Sequence, residues 1–280
     1  MPIKLEQILK RVQDIPPLPS SALRVLDMLK QPETSAKDLE YAIGQDPALT
    51  AGILRQANSA FYGYARRISS LQEAIVLLGF QVIQSLAMTA AIAPVLKTPI
   101  VGYEVEQDGL WKHSILTGIA AKSMCKRLRI PYADTAFTAG LLHDIGKLII
   151  SIYLQQIGDY MLERVNLSQL SYAELEEKVI GFNHATVGGY TATGWNLPDD
   201  LVECIAYHHA PEDAPGNIPL VSVVHIADGL ANMLGIGGGV DSFLNPIQQS
   251  ALDRLGITDS DFEHIIAELG EYIQDPAIFS

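Results

Sequence analysis

His143 and Asp144 stand side by side in an apolar run, Ala139-Gly140-Leu141-Leu142-His143-Asp144-Ile145-Gly146-Lys147-Leu148. The pair offers a nitrogen donor next to an anionic oxygen donor, and a carboxylate can bridge two metal ions. Divalent ions accept such a mixed shell. An isolated pair of this kind is ordinarily a buried hydrogen bond, so the rest of the chain must decide. Further candidates recur along the second half: His113, His184, the doublet His208-His209 ahead of Ala210-Pro211, and Asp228. Singly, each has an ordinary hydrogen-bonded structural reading. Together they place polar groups in apolar helical surroundings, where each unpaired group costs roughly 2–7 kcal/mol. A metal is the economical common partner. Neighbours on a helix point about 100° apart, so His208 and His209 can reach one ion only where their helix ends, and Pro211 supplies an end. His225, one turn before Asp228, reads as a buried supporting residue, and His264 as a solvated one.

The elements that must position these residues all read as helices. An apolar pattern from Leu5 to Val12 stops before Ile15-Pro16-Pro17-Leu18-Pro19. Ser20 or Ser21 caps a helix through Ala22, Val25, Leu26 and Leu29. Ser35 followed by Asp38 is close to a capping box, and Asp46-Pro47 opens another helix, with proline at its first position. Asn58-Ser59-Ala60-Phe61-Tyr62-Gly63 breaks the pattern, and Asn58-Ser59 reads as a structural helix end. Ser70 opens the next helix and Gly79 stops it. Val221 to Ile226 continues into Ala227, Leu230 and Met233 with helical spacing, and no strand is expected anywhere. Gly235-Ile236-Gly237-Gly238-Gly239 reads as a flexible connector without the signature of a phosphate loop. Asp261 to Tyr272 is a last amphipathic helix. Lys97 to Tyr103, followed by polar residues, suggests a boundary between residues 1–100 and 101–280.

Composition narrows the function. The 280 residues carry a net charge of −13, which disfavours a grip on nucleic acid or on an anionic membrane. Cys125 and Cys204 read as small buried residues of a reducing compartment rather than a disulfide. The charged start is not that of a signal peptide. The most apolar stretch, Ile75 to Leu96, is interrupted by Gly79, Gln81, Gln84, Ser85 and Pro94, so it reads as buried helices rather than a membrane span. A cytoplasmic protein is expected.

The order His, His-Asp, His, His-His, Asp resembles the metal-dependent phosphohydrolase superfamily named for its HD motif, and is similar to the ligand set of the bacterial HD-GYP branch. The first half resembles a narrower family, the HDOD domain proteins. Leu18-Pro19, Asp46-Pro47-Ala48-Leu49-Thr50, Leu54-Arg55-Gln56-Ala57-Asn58-Ser59-Ala60-Phe61, Ala74-Ile75-Val76-Leu77-Leu78-Gly79 and Trp195-Asn196-Leu197-Pro198 carry that likeness, over roughly residues 8 to 235.

The resemblance implies an all-α fold in two helical lobes, the C-terminal one an HD-type bundle. It implies a bacterial signalling module that works through protein contacts with signalling or regulatory partners. By analogy, His113, His143, Asp144 and Asp228 hold one divalent transition-metal ion (iron, manganese, zinc or nickel). Asp144 bridges to a second held by His184, His208 and His209. The alternative implied is a dinuclear phosphomono- or phosphodiesterase with Asp144 and Lys147 as catalytic residues, Lys147 meeting an oxygen of a phosphate ester or nucleotide. Two departures bear on this. Gly109 stands where some HD-GYP sites have a ligating glutamate, so a third ion is not expected. Ala210-Pro211-Glu212-Asp213 replaces the Gly-Tyr-Pro loop, which speaks against cyclic dinucleotide cleavage.

Overall fold

Helix ends follow local side chains in the computed structural model, which describes residues 20–29, 31, 33–64, 66–154, 157, 160–161, 170–242 and 244–279. The expected helix over Leu5–Val12 and the Pro16-Pro17-Leu18-Pro19 stretch lie outside these residues. The first helices are α1 (Ser20–Leu29), α2 (Ala36–Gly44), α3 (Pro47–Ala57), α4 (Leu71–Leu78) and α5 (Phe80–Leu96). Ser35 and Asp38 form the full capping box at α2, with the Ser35 N–H donating to the Asp38 carboxylate at 3.0 Å. Asp46 caps α3 by accepting from the Ala48 and Leu49 N–H groups. Ser70 caps α4 by accepting from Glu73, and α4 stops at Gly79, whose φ of +79° suits a residue without a side chain. The stretch from Ile75 to Leu96 is therefore two helices. Among the described residues no helix is long and apolar enough to cross a membrane.

The chain forms two units. One comprises described residues 20–95 and 267–279, around a core that includes Val25, Leu39, Ile43, Ile53, Ile75 and Ile83. The chain end is tied into this unit by Phe61 packing edge-on to Tyr272 at 5.4 Å and by the Ala60 N–H donating to Asp275 at 3.1 Å.

The other unit, residues 96–266, holds α6 (Gly109–Arg127), α7 (Ala133–Leu142), α8 (Lys147–Leu154), α9 (Tyr172–Ile180), α10 (His184–Gly194), α11 (Asp199–Tyr207), α12 (Ile218–Met233), α13 (Gln249–Leu255) and the start of α14 (Asp259–Ile273). From Gly109 to Cys125 every residue of α6 except Lys112 is buried, as befits a central helix. It crosses α7 at Gly118 and Gly140, where a Cβ on Gly140 would lie 2.8 Å from the Gly118 nitrogen. No strand occurs among the described residues, only an isolated bridge between Ile100 and Val105. The protein is all-α, in two helical lobes.

One expectation fails. Within the glycine run from Gly235, Gly237 and Gly239 are packed against backbone rather than forming a flexible connector. A Cβ on Gly237 would lie 2.1 Å from the Gly109 carbonyl oxygen, and one on Gly239 2.3 Å from that of Tyr103. The Val240 N–H donates to the Tyr103 carbonyl at 3.1 Å. Gly237 and Gly239 stand here because two backbones meet too closely for side chains, and the segment delivers Asp241 to the interior.

Candidate metal centre

Helix termini deliver most of the candidate residues. His143 follows the last residue of α7, Asp144 lies in the turn to α8, and Lys147 begins α8. His184 begins α10, where Asn183 caps by accepting from Thr186. The α11 helix ends at Tyr207, which frees His208 and His209 from the helical 100° divergence, as Pro211 suggested. His113 and Asp228 project from inside α6 and α12. All of them are buried except His209, which is partly so.

These side chains converge in two groups. His113 Nε2 lies 3.0 Å from Asp228 Oδ1 and 3.3 Å from His143 Nε2. His184 Nε2 lies 2.8 Å from His209 Nε2, and His208 joins this pair with all three ligand atoms within 4.8 Å of one another. Asp144 stands between the groups. Its Oδ1 is 3.4 Å from His184 Nε2 and 3.7 Å from His208 Nε2, while Oδ2 is 3.3 Å from His143 Nε2 and 3.6 Å from His113 Nε2.

The far sides of the rings set which nitrogen faces inward. His143 Nδ1 donates to the Gly140 carbonyl at 2.7 Å, and His208 Nδ1 to that of Ile205 at 2.8 Å. His184 Nδ1 donates to Glu176 Oε2 at 2.8 Å. A carbonyl or carboxylate oxygen only accepts, so each Nδ1 carries the hydrogen and each Nε2 points at the cluster. Glu176 is fully buried and also accepts from the His184 N–H and the Tyr103 hydroxyl.

The doublet has its own clamp. His225 Nδ1 donates to the His208 carbonyl at 2.7 Å, and the Gln248 side-chain amide donates to that of His209 at 2.9 Å. The Gln248 N–H in turn donates to His225 Nε2 at 2.9 Å. Carbonyls orphaned at the end of α11 are thus satisfied from α12 and from the residue ahead of α13. Gly146 completes the close approach: a Cβ there would lie 1.9 Å from the His184 carbonyl oxygen.

Charge is concentrated and matched. The Lys147 ammonium is 2.6 Å from Asp144 Oδ2 and 2.5 Å from Asp241 Oδ2. Burial opposes ionisation of Asp144, but His143, Lys147 and His184 outweigh it and hold its carboxyl well below the usual range. Burial likewise disfavours a charged His143, yet Asp144 and Asp228 raise it to about 10. Burial and the neighbouring imidazoles push His208 and His209 well down, so that they are neutral.

The residues fit a metal. Asp144 Oδ1, His208 Nε2 and His113 Nδ1 are buried without a hydrogen-bond partner, and the first two point into the cluster. Nitrogen ligands about 2.0–2.1 Å from one ion lie roughly 3 Å apart, close to the Nε2 separations found here.

Several supporting residues escape a sequence reading: Glu176, Tyr103, Asp241, Asn232 and Gln248. Asn232 donates to Asp228 Oδ1 at 2.9 Å from one turn along α12. Glu176 alone leaves a trace, a carboxylate beside Leu175 and one turn before the apolar Ile180. Gly109, where a third-ion glutamate was considered, has a packing reason: a Cβ would lie 2.6 Å from Val105 Cγ1.

Comparison with known proteins identifies the family and the fold. The family model of the HDOD domain matches residues 15–211. An uncharacterized protein of Treponema pallidum (strain Nichols) is 28% identical over 224 residues, covering 79% of this chain and 43% of that protein, so this chain spans less than half of that relative. The crystal structure of an HDOD domain protein of unknown function from Geobacter sulfurreducens is similar at 27% identity and a TM-score of 0.73, with 96% of both chains covered. A candidate phosphohydrolase from Shewanella amazonensis SB2B shares the fold at 23% identity and a TM-score of 0.72, over 97% of this chain and 95% of that one. A candidate signal transduction protein from Marinobacter aquaeolei VT8 does so at 24% and 0.71, over 98% of this chain and 59% of that one.

Proposed function

Starting from a chain that belongs to the HDOD domain family, we propose that it is a bacterial, cytoplasmic signalling module that retains an HD-type metal centre and acts mainly through contacts with regulatory proteins. The observation that carries this reading is Lys147 held between Asp144 and Asp241. Both carboxylates engage its ammonium, so its charge is already matched and is not held ready for a phosphate. The net charge of −13 offers no steering for an anionic substrate either. The free, buried thiols of Cys125 and Cys204 suit a reducing compartment.

In this reading His113, His143, Asp144 and Asp228 hold one divalent ion, and Asp144, His184, His208 and His209 a second. The His/Asp shell suits iron, manganese, zinc or nickel. Glu176 orients His184 and strengthens it as a donor. His225 and Gln248 hold the doublet in place, and Lys147 offsets the charge of Asp144. Elemental analysis of the purified chain tests the centre: about two equivalents per chain support it, and none after incubation with manganese or iron overturns it. Affinity capture followed by native mass measurement tests the mode of action, and a chain recovered only as a free monomer counts against it.

A second reading, a metal-dependent phosphohydrolase acting on phosphate mono- or diesters, is favoured by one observation: the two ligand groups share Asp144. Bound ions would supply Lewis acidity and lower the pKa of water. Lys147 would have to exchange Asp241 for a phosphate oxygen. Turnover of an aryl phosphate ester with added manganese, lost in Asp144→Asn, supports this reading. No turnover across several metals and ester types sinks it.

A further inference from the structure

The metal centre draws on residues 113–228 and leaves the 20–95 unit without a role. That unit carries a surface cavity of about 870 Å³. Ala51 and Leu54 line it over the buried Ile68, with Tyr64, Arg55 and Arg67 at its edge. The hollow is open to solvent, so a ligand seated there stays partly exposed.

The walls are held in place by side chains that the sequence alone marks only as a helix end. Asn58 accepts from the Ile68 N–H at 2.8 Å and donates to the Ile68 and Leu54 carbonyls at 2.9 and 2.6 Å. Glu73 accepts from the Ser69 N–H at 3.0 Å and pairs with Arg66. The Tyr64 hydroxyl donates to the Leu77 carbonyl at 3.0 Å, which leaves its ring as the group facing the cavity. These ties use every polar atom of the Asn58 side chain and neutralise Arg66. Arg55 and Arg67 have no carboxylate partner among the described residues. Two guanidiniums without a carboxylate partner beside one cavity attract an anion at short range, against the chain's net charge of −13. Their forked donors suit phosphate in particular, and the apolar walls and aromatic ring suit a planar organic body.

We propose that this cavity binds a nucleotide-sized phosphorylated organic anion, its phosphate on Arg55 and Arg67 and its planar part against Tyr64 and Leu54. The site makes the first lobe a ligand-binding element separate from the metal centre, and it does not depend on that centre being loaded.

The test is calorimetric titration of the full chain with AMP, GMP, adenosine and inorganic phosphate. A nucleotide should bind at one site per chain, at least about tenfold more tightly than adenosine or phosphate alone, and more weakly as salt rises. Arg55→Gln with Arg67→Gln should weaken it by tenfold or more, with the far-UV spectrum unchanged because both side chains are exposed. Asp144→Asn should leave it unaltered, so a failed metal centre and a failed cavity are told apart. No heat with either nucleotide at millimolar concentration overturns the proposal. So does binding that survives the double arginine variant or disappears in Asp144→Asn.

Discussion

His143 is the residue where the electrostatics of the site become measurable. Its folded value of about 10 lies above the ordinary 6.5, so the proton is present at pH 7.5 in the metal-free chain. A metal accepts only the neutral imidazole. Loading at pH 7.5 must therefore expel a proton, and apparent affinity must climb with pH until about 10. Calorimetry in buffers of different ionisation enthalpy reads this directly, and a heat independent of buffer would contradict it. Asp144 faces both histidine groups, one oxygen to each, so Asp144→Asn should reduce bound metal at both positions. An effect confined to one ion would remove Asp144 from its bridging place.

Among the elements, the ends of α7, α10 and α11 matter more than their lengths. The His208-His209 doublet depends on donors from outside α11. Replacing His225 with Leu leaves the His208 carbonyl buried without a donor, at a cost of about 1–3 kcal/mol. It should halve the metal content, because His113, His143 and Asp228 do not rely on that clamp. Full loading of the His225→Leu chain would show that His225 is mere packing. Gly146 sets the distance between the His-Asp turn and α10. With 1.9 Å between a Cβ there and the His184 carbonyl oxygen, Gly146→Ala should destabilise the chain by about 1–3 kcal/mol, the usual cost of overpacking. Thermal unfolding measures it, and an unchanged midpoint would mean that α10 can move away freely.

For the whole molecule, the proposed centre would link metal binding to folding, because its candidate ligands come from α6, the α7–α8 turn, α10, the end of α11 and α12. An ion at one hundred times its dissociation constant adds about 2.7 kcal/mol. For a unit of this size that corresponds to roughly 5–11 °C in the unfolding midpoint. Manganese should raise the midpoint by this order and a chelator should reverse it. Asp144→Asn should flatten the response, and a wild-type midpoint indifferent to metal would speak against a centre built from five elements.

The amino-acid sequence by itself determined what is local. Ser35 with Asp38, Asp46 with Pro47, and Ser70 are capping signals whose partners lie within three residues, so they could be read and were found in place. The helical class followed from periodicity, and His113, His143, Asp144, His184, His208, His209 and Asp228 were singled out by their order along the chain and the resemblance it carries, while the fold brings their side chains together. The end of α11 at the doublet was legible through Pro211. Only the tertiary structure decided what depends on distant segments. Glu176 reaches His184, Asp241 reaches Lys147 across 94 residues, and His225 and Gln248 reach the doublet carbonyls. The sequence names the partner in none of these contacts, because each is made by a side chain whose partner is set by helix packing rather than by chain spacing. Gly237 and Gly239 show the same division. Sequence marks them as able to bend, and packing against Gly109 and Tyr103 is what makes them necessary.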